Sequence, residues 1–403
     1  MKFKLLTQIF IAFILAIIFG LWVPGIEKVQ PLGDLFLRLI KFVIVPLVFS
    51  TLVVGVASTG DVGKLSRMGG KTVIYYLVTT AIAITIGISA GFIFSPGEGL
   101  DIDPGETTVE PSESQGVIQT LLNIIPTNPI QSLVEGNILQ IIFFALFIGI
   151  GITVIGKKGN TVYEFFDGFA EVMYKITGWV MKIAPLGVFG LIAPIVAQYG
   201  ADLLMPLIKI ILAVAVAVIF HAMIVYSTAV KMIGKMNPIT FFKGILPATM
   251  VAFSTTSSSG TLPVTMKNTQ ENLKVSERVS SFVLPLGATI NMDGTAIYLG
   301  ISTLFSAQLF GIELTFAQLL MIILTGTLAS IGTAGVPGAG LIMLTMVLQS
   351  AGLPLEAIAV VAGIDRILDM FRTAINVMGD ASAAVVVASS ENEMAQESEN
   401  FTA

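Results

Sequence analysis

Three acids, a base, a hydroxyl and an amide recur at helical spacing in DRILDMFRTAINVMGD, residues 365–380. Wound as an α-helix, Asp365, Asp369, Arg372, Thr373, Asn376 and Asp380 fall within an arc of roughly 100°. Around them the stretch is chiefly Ile, Leu, Met, Phe, Ala and Val, inside an apolar run from Ala357 to Ala388. A charge at the centre of a membrane helix costs about 2.5–3.5 kcal/mol. Arg366 adds a fifth charged group, and the five do not balance as simple pairs. Such a face must look into protein or water, and it is the first candidate site. Arg372 offers a two-pronged donor for a carboxylate. Asp369, one turn earlier, complements an ammonium. An acidic amino acid carries both groups.

Three other polar segments lie in apolar surroundings. They are Ser254 to Gly260 (STTSSSG), Asn291 to Thr295 (NMDGT) and Gly332 to Gly340 (GTAGVPGAG). Unwound backbone offers carbonyl oxygens to a small cation, and half-helix N-termini offer N–H groups to a carboxylate. Asp293 and Asp380 would add negative charge, and oxygen-only surroundings suit a hard ion such as sodium. The Gly-rich tip follows no strand, so a nucleotide loop is discounted. With no Cys, thiol catalysis and Cys-ligated metals are excluded, and one His leaves almost no scope for His-based catalysis or zinc. His221 sits in an apolar run and reads as a satisfied core side chain.

The elements that hold these segments are membrane spans. Mean hydropathy is +0.91 and 12% of residues are charged, against about 25% in soluble domains. At about 20 residues per crossing, 403 residues allow a polytopic bundle. Apolar runs give spans at 5–23, 31–57, 72–94, to about 155, 170–197, 204–226 and 279–304, the last of these interrupted by NMDGT. The first ends in Pro24-Gly25 without a small-residue cleavage pattern, so it reads as a retained span rather than a signal peptide. Residues 244–266, with Lys243 and Lys267 at both ends, read as a re-entrant hairpin. The uncharged stretch 314–355 reads as two half-helices around the Gly-rich tip, either a second hairpin or two full spans. With the N-terminus in the cytoplasm, Lys and Arg collect on the inner side (Lys64, Arg67 and Lys71; Lys157 and Lys158; Lys231 to Arg278), and Lys28 alone lies outside. An acidic loop, 95–117, then lies outside, and the polar tail 389–403 is expected to be disordered in the cytoplasm. Two hairpins, each followed by a span with a polar break, suggest inverted repeats meeting at the midplane.

At these residues the chain resembles the dicarboxylate/amino acid:cation symporter (glutamate transporter) family. SSSGTLP at 257–263, NMDGT at 291–295, SIGTAGVPGAG at 330–340 and D-x3-D-x2-RT-x2-N-x3-D at 365–380 carry the resemblance. It implies an all-α polytopic membrane protein with eight transmembrane helices, two re-entrant hairpins and inverted repeats, working as an elevator. Spans 1–2 (1–71) and 4–5 (118–200) would form a scaffold. Span 3 (72–117, with the acidic loop) and residues 201–388 would form the moving transport domain. A homotrimer in a prokaryotic plasma membrane is implied, with both termini cytoplasmic and sodium as coupling ion rather than a bound cofactor.

By resemblance, Arg372 holds the substrate side-chain carboxylate and Asp369 its amino group. Thr373, Asn376, Thr295, Ser258, Val336 and Gly340 complete the substrate site. One sodium would use Asp380, Asn376, Asn291 and Gly287. A second would use Asp293 and Asn291 with Tyr76, Thr79 and Thr80. A third would use carbonyls of Thr289, Met292, Ser330, Ile331 and Thr333. One departure stands out: members carry an extra arginine either just before the serine run or within the last span, and this chain has Thr256 and Met370 there. Arg366 is expected to take over the charge balance of Asp369. The expected activity is sodium-coupled uptake of aspartate or glutamate, with proton coupling or a plain dicarboxylate as the alternative. Asp369 speaks against the dicarboxylate, which would bring a second negative charge to it.

Overall fold

The computed structural model describes residues 5–57, 65–99, 122, 125–200, 204–330 and 339–394. Helices dominate it, and their ends follow local chemistry. The helices α1 (Leu5–Trp22), α2 (Gln30–Ala57) and α3 (Leu65–Phe94) open the chain. A short α4 (Pro129–Glu135) starts where Asn128 accepts the Ile130 and Gln131 amides and proline takes the first turn, and it stops at Gly136, φ 70°. Then come α5 (Ile138–Ile155) and the 40-residue α6 (Asn160–Tyr199). Next, α7 (Leu204–His221) runs through a π turn, Ala222–Tyr226, into α8 (Ser227–Met232). Extra-residue turns of this kind re-aim side chains and gather at functional sites.

The broken part of the chain is built from pairs. Helices α9 (Pro238–Thr255) and α10 (Ser258–Glu271) pack against each other and join at Thr256 and Ser257. Thr256 has φ 54°, an unusual conformation for a β-branched residue. Helices α11 (Glu277–Ile290) and α12 (Asp293–Leu309) are interrupted at Asn291 and Met292, inside the NMDGT segment. Helix α13 (Phe316–Ser330) packs on α14 (Ala339–Ser350). The last helix, α15 (Ala357–Glu391), carries the charged face.

Among the described residues, four segments, 67–94, 140–180, 204–232 and 360–391, are long and apolar enough to cross a membrane. Their lipid-facing character shows in side chains such as Ile74, Phe147, Trp179 and Ile219, which stay exposed. Helices α1, α2, α5 and α6 pack chiefly on one another. Helices α3, α7 and α9–α15 form the other group, with α12 and α15 at its centre. Sixteen of the 17 residues of α12 are buried, so it is a core helix whose only polar business is inward. The α3–α12 seam is tight because Gly87 presents no side chain to the Ile297 backbone.

Several boundaries differ from the sequence expectation. The first hairpin begins at Pro238 and ends at Glu271, outside the 244–266 drawn from its flanking lysines. The tail does not begin at Ser389. Helix α15 continues to Glu391, Asn392 caps it with φ 57°, and Met394 pairs with Val275. Glu391 bonds Arg67 and Lys71, and Arg278 meets Glu393 at 3.0 Å, so charges at these helix ends fasten the segment down. Most of the acidic loop, the tip 331–338 and the tail beyond Met394 lie outside the described residues.

Candidate binding site

Arg372 is the largest fully buried side chain among the described residues. A guanidinium held there must be paired, and two acids of its own helix do it. Nη1 donates to Asp365 Oδ1 at 2.7 Å, seven residues back. Nε donates to Asp369 Oδ1 at 3.3 Å, while Nη2 lies 2.9 Å from the same oxygen. The Tyr298 ring supports the cation from α12, 4.2 Å from its centroid. Gly340, at the start of α14, abuts the guanidinium, and a Cβ there would overlap it.

The pairing is incomplete. Arg372 Nη2 and Asp369 Oδ2 are both buried, and neither makes a hydrogen bond among the described residues. Leaving such groups open costs about 1–3 kcal/mol each, more for charged ones. One is a donor and the other an acceptor, and both belong to the same cluster. Arg366 approaches Asp369 Oδ2 to 3.9 Å, which balances charge without a hydrogen bond.

Next to this cluster the break between α11 and α12 meets α15. Asn291 Nδ2 donates to Asp380 Oδ1 at 2.9 Å and to the Asn376 carbonyl at 3.1 Å. The second amide of α12 belongs to the same knot, since Gly294 N donates to Asn376 Oδ1 at 2.7 Å. Gly287 lies against the Asp380 carboxylate and the Tyr76 hydroxyl, each 2.5 Å from where its Cβ would stand. Asn291 Oδ1 is buried and without a partner among the described residues. An acidic, oxygen-rich pocket with a free amide oxygen fits a hard cation.

A second acidic centre sits at the first residue of α12. Asp293 Oδ1 accepts from Thr80 at 2.7 Å and from Thr79 at 3.3 Å. The Thr79 hydroxyl also lies 3.2 Å from the Tyr76 carbonyl. The other carboxylate oxygen receives Tyr226 at 2.7 Å and stands 3.2 Å from His221 Nε2.

The structure therefore gathers Arg372, Asp369 and Gly340 in one cluster. Asp380, Asn376, Asn291, Gly287 and the Tyr76 hydroxyl form a second, and Asp293, Thr79, Thr80 and the Tyr76 carbonyl a third. Ser258, Thr295 and Thr373 are buried on helices of the same group. Met292 enters through its sulfur, which accepts from Asn376 Nδ2 at 3.3 Å. Thr289 is exposed and bonds its own helix at the Leu286 carbonyl. Ser330 ends α13, and Ile331, Thr333 and Val336 lie outside the described residues.

Sequence reasoning missed three participants. His221 is a core residue, yet it touches Asp293, and its Nδ1 has no hydrogen bond among the described residues. Tyr226 and Tyr298 were not singled out either. All three partners lie far away in sequence, and the one local signal is the polar edge that His221 and Tyr226 give the otherwise apolar stretch 210–226.

Comparison with known proteins finds similarity along nearly the whole chain. The model of the Sodium:dicarboxylate symporter family matches residues 5–390. A proton/sodium-glutamate symport protein of Geobacillus stearothermophilus is 41% identical, over 98% of this chain and 96% of its own. The proton/glutamate-aspartate symporter of Escherichia coli is 38% identical, covering 97% and 94%. A C4-dicarboxylate transport protein of Bacillus subtilis is 37% identical, over 97% and 94%.

Proposed function

The chain belongs to the Sodium:dicarboxylate symporter family, a multi-pass membrane transporter and not an enzyme, and from that premise we propose that it couples sodium influx to uptake of aspartate or glutamate. The observation that carries the reading is in the α15 cluster: Arg372 Nη2 meets Asp369 Oδ1 at 2.9 Å as an ion pair but without a hydrogen bond of its own, and Asp369 Oδ2, an acceptor, is buried without one. A carboxylate satisfies the first and an ammonium the second. A plain dicarboxylate would leave Asp369 unsatisfied and bring a like charge to it, so the C4-dicarboxylate named for one relative is the poorer fit. The names of the other two relatives, which carry glutamate, support the same choice.

Sodium as the coupling ion rests on oxygen donors around two buried acids. Asp380 with the unpaired Asn291 Oδ1 makes one seat, and Asp293 with Thr79, Thr80 and the Tyr76 carbonyl makes the other. The first is built on α15 and the second on α12, the two helices that also hold the substrate cluster, so filling the cation seats orders the helices that hold the amino acid. A third seat would involve Thr289, Met292, Ser330, Ile331 and Thr333, as the family resemblance implies. The elevator reading, with a scaffold of spans 1, 2, 4 and 5 in a homotrimer, is supported by the separate packing of α1, α2, α5 and α6. Arg366 serves as the charge balance for Asp369.

Proton coupling is the second reading, and one contact favours it. His221 and Tyr226 both sit on the Asp293 oxygen that does not face the threonines. Uptake into proteoliposomes separates the readings. An inward sodium gradient at equal pH should drive labelled aspartate and glutamate but not succinate. Uptake driven by a pH gradient without sodium would move the protein to the proton-coupled reading, and succinate uptake would reject the amino-acid assignment.

A further inference from the structure

Away from the site, α3, α7 and α13 leave a trough of about 690 Å³ on the outer surface of their group. Its walls include Ile82 and Ile93 of α3, Val216 and Phe220 of α7 and Ile323 of α13. Only two hydroxyls line it, and both are bonded to their own helix: Thr85 to the Ala81 carbonyl at 2.7 Å, Ser89 to the Thr85 carbonyl at 2.8 Å. Nothing in the walls asks for water. Lining residues run along α3 from Val78 to Phe94, about 24 Å at 1.5 Å per residue. That is most of a hydrocarbon core about 30 Å thick.

The trough has a charged mouth. Lys209, Val216 and Phe220 lie within about 20° of one line along α7, given their spacing of seven and eleven residues. Lys209 stands at the end of α7 that meets Ser95, directly after Phe94, and its Nζ lies 3.4 Å from the Ser95 carbonyl. No carboxylate among the described residues pairs with it, and a single long contact leaves donors of the ammonium open. An apolar slot of acyl-chain length with a cation at headgroup level is complementary to a phospholipid along its whole length. The length and apolar lining fit the chain, and the lysine fits the phosphate.

We propose that this trough binds one phospholipid, its acyl chain between α3 and α7 and its anionic headgroup on Lys209. The site is separate from the substrate and cation clusters, which use the inward faces of the same helices, and it does not depend on which amino acid is carried.

Native mass spectrometry of the full chain in detergent tests it, with palmitoyl-oleoyl phosphatidylglycerol and the matching phosphatidylcholine as probes. The wild type should retain one phosphatidylglycerol per chain, preferred about fivefold over phosphatidylcholine, the effect of one lysine at a membrane surface. Lys209→Ala should erase the preference and Lys209→Arg restore it. Ser89→Trp, which fills the trough, should lose both lipids. An unchanged preference in Lys209→Ala would overturn the headgroup assignment. Full retention in Ser89→Trp would overturn the seat. If Ser89→Trp instead broke an oligomer into single chains, the occupant would be a second copy and the proposal would be wrong.

Discussion

A buried guanidinium shared between two carboxylates is tolerable only while each charge has a partner, and this governs what substitutions at the α15 face should do. Arg372→Lys keeps the charge but loses the planar fork. It should weaken aspartate binding about a hundredfold, from the 2–5 kcal/mol typical of breaking a buried charge pair. Arg372→Ala leaves Asp365 and Asp369 facing each other and should cost roughly 3–5 kcal/mol of stability as well, which thermal unfolding would register. Arg366 is a weaker partner, partly exposed and 3.9 Å from Asp369. Arg366→Ala should therefore weaken aspartate binding about fivefold, the worth of roughly 1 kcal/mol. Adding Thr256→Arg to that variant should recover the loss, since the resemblance places a family arginine there. If Arg366→Ala binds aspartate like the wild type, Arg366 is not the compensating charge. The acids and Arg372 were legible because charge in an apolar run is conspicuous. Their pairing was not, because Arg372 was matched to a substrate and turned out to be held first by Asp365, seven residues away.

Among the elements, the break between α11 and α12 is the joint on which both acidic centres depend. The α12 N-terminus presses on α15 at Gly294, where a Cβ would collide with the Arg372 backbone and the Ile375 side chain. Gly294→Ala should destabilise the protein by about 1–3 kcal/mol, seen as a lower melting midpoint, and should loosen sodium-dependent binding with it. A variant with wild-type melting and affinity would mean that the joint has slack the packing does not show. Breaks of this kind were readable, since polar residues inside apolar runs marked 254–260 and 291–295 and the structure interrupts its helices in both. Helix ends were less so. Lys243 was read as a boundary, yet α9 starts at Pro238, because a lysine on a helix end can reach water while its helix goes on. Likewise Lys175 and Lys182 sit inside the 40-residue α6. The His221 contact could not be read at all, since Asp293 is 72 residues away and only the packing of α7 on α12 brings them together.

For the whole molecule, the elevator reading calls for movement of one helix group past the other. Phe13 of α1 packs on Gly363 of α15, at one of the few contacts between the two groups. The chain has no cysteine, so a Phe13→Cys, Gly363→Cys pair can be bridged without background labelling. Bridging by mercury should stop uptake and leave substrate binding intact, and thiol should restore transport. Uptake that continues in the bridged protein would count against the elevator reading. The most direct measurement is titration of the purified protein with L-aspartate, with and without sodium, at fixed pH. The account predicts that affinity rises steeply with sodium, and that Asp380→Asn and Asp293→Asn flatten the rise. Binding that ignores sodium and follows pH would contradict it, as would the absence of binding by either aspartate or glutamate.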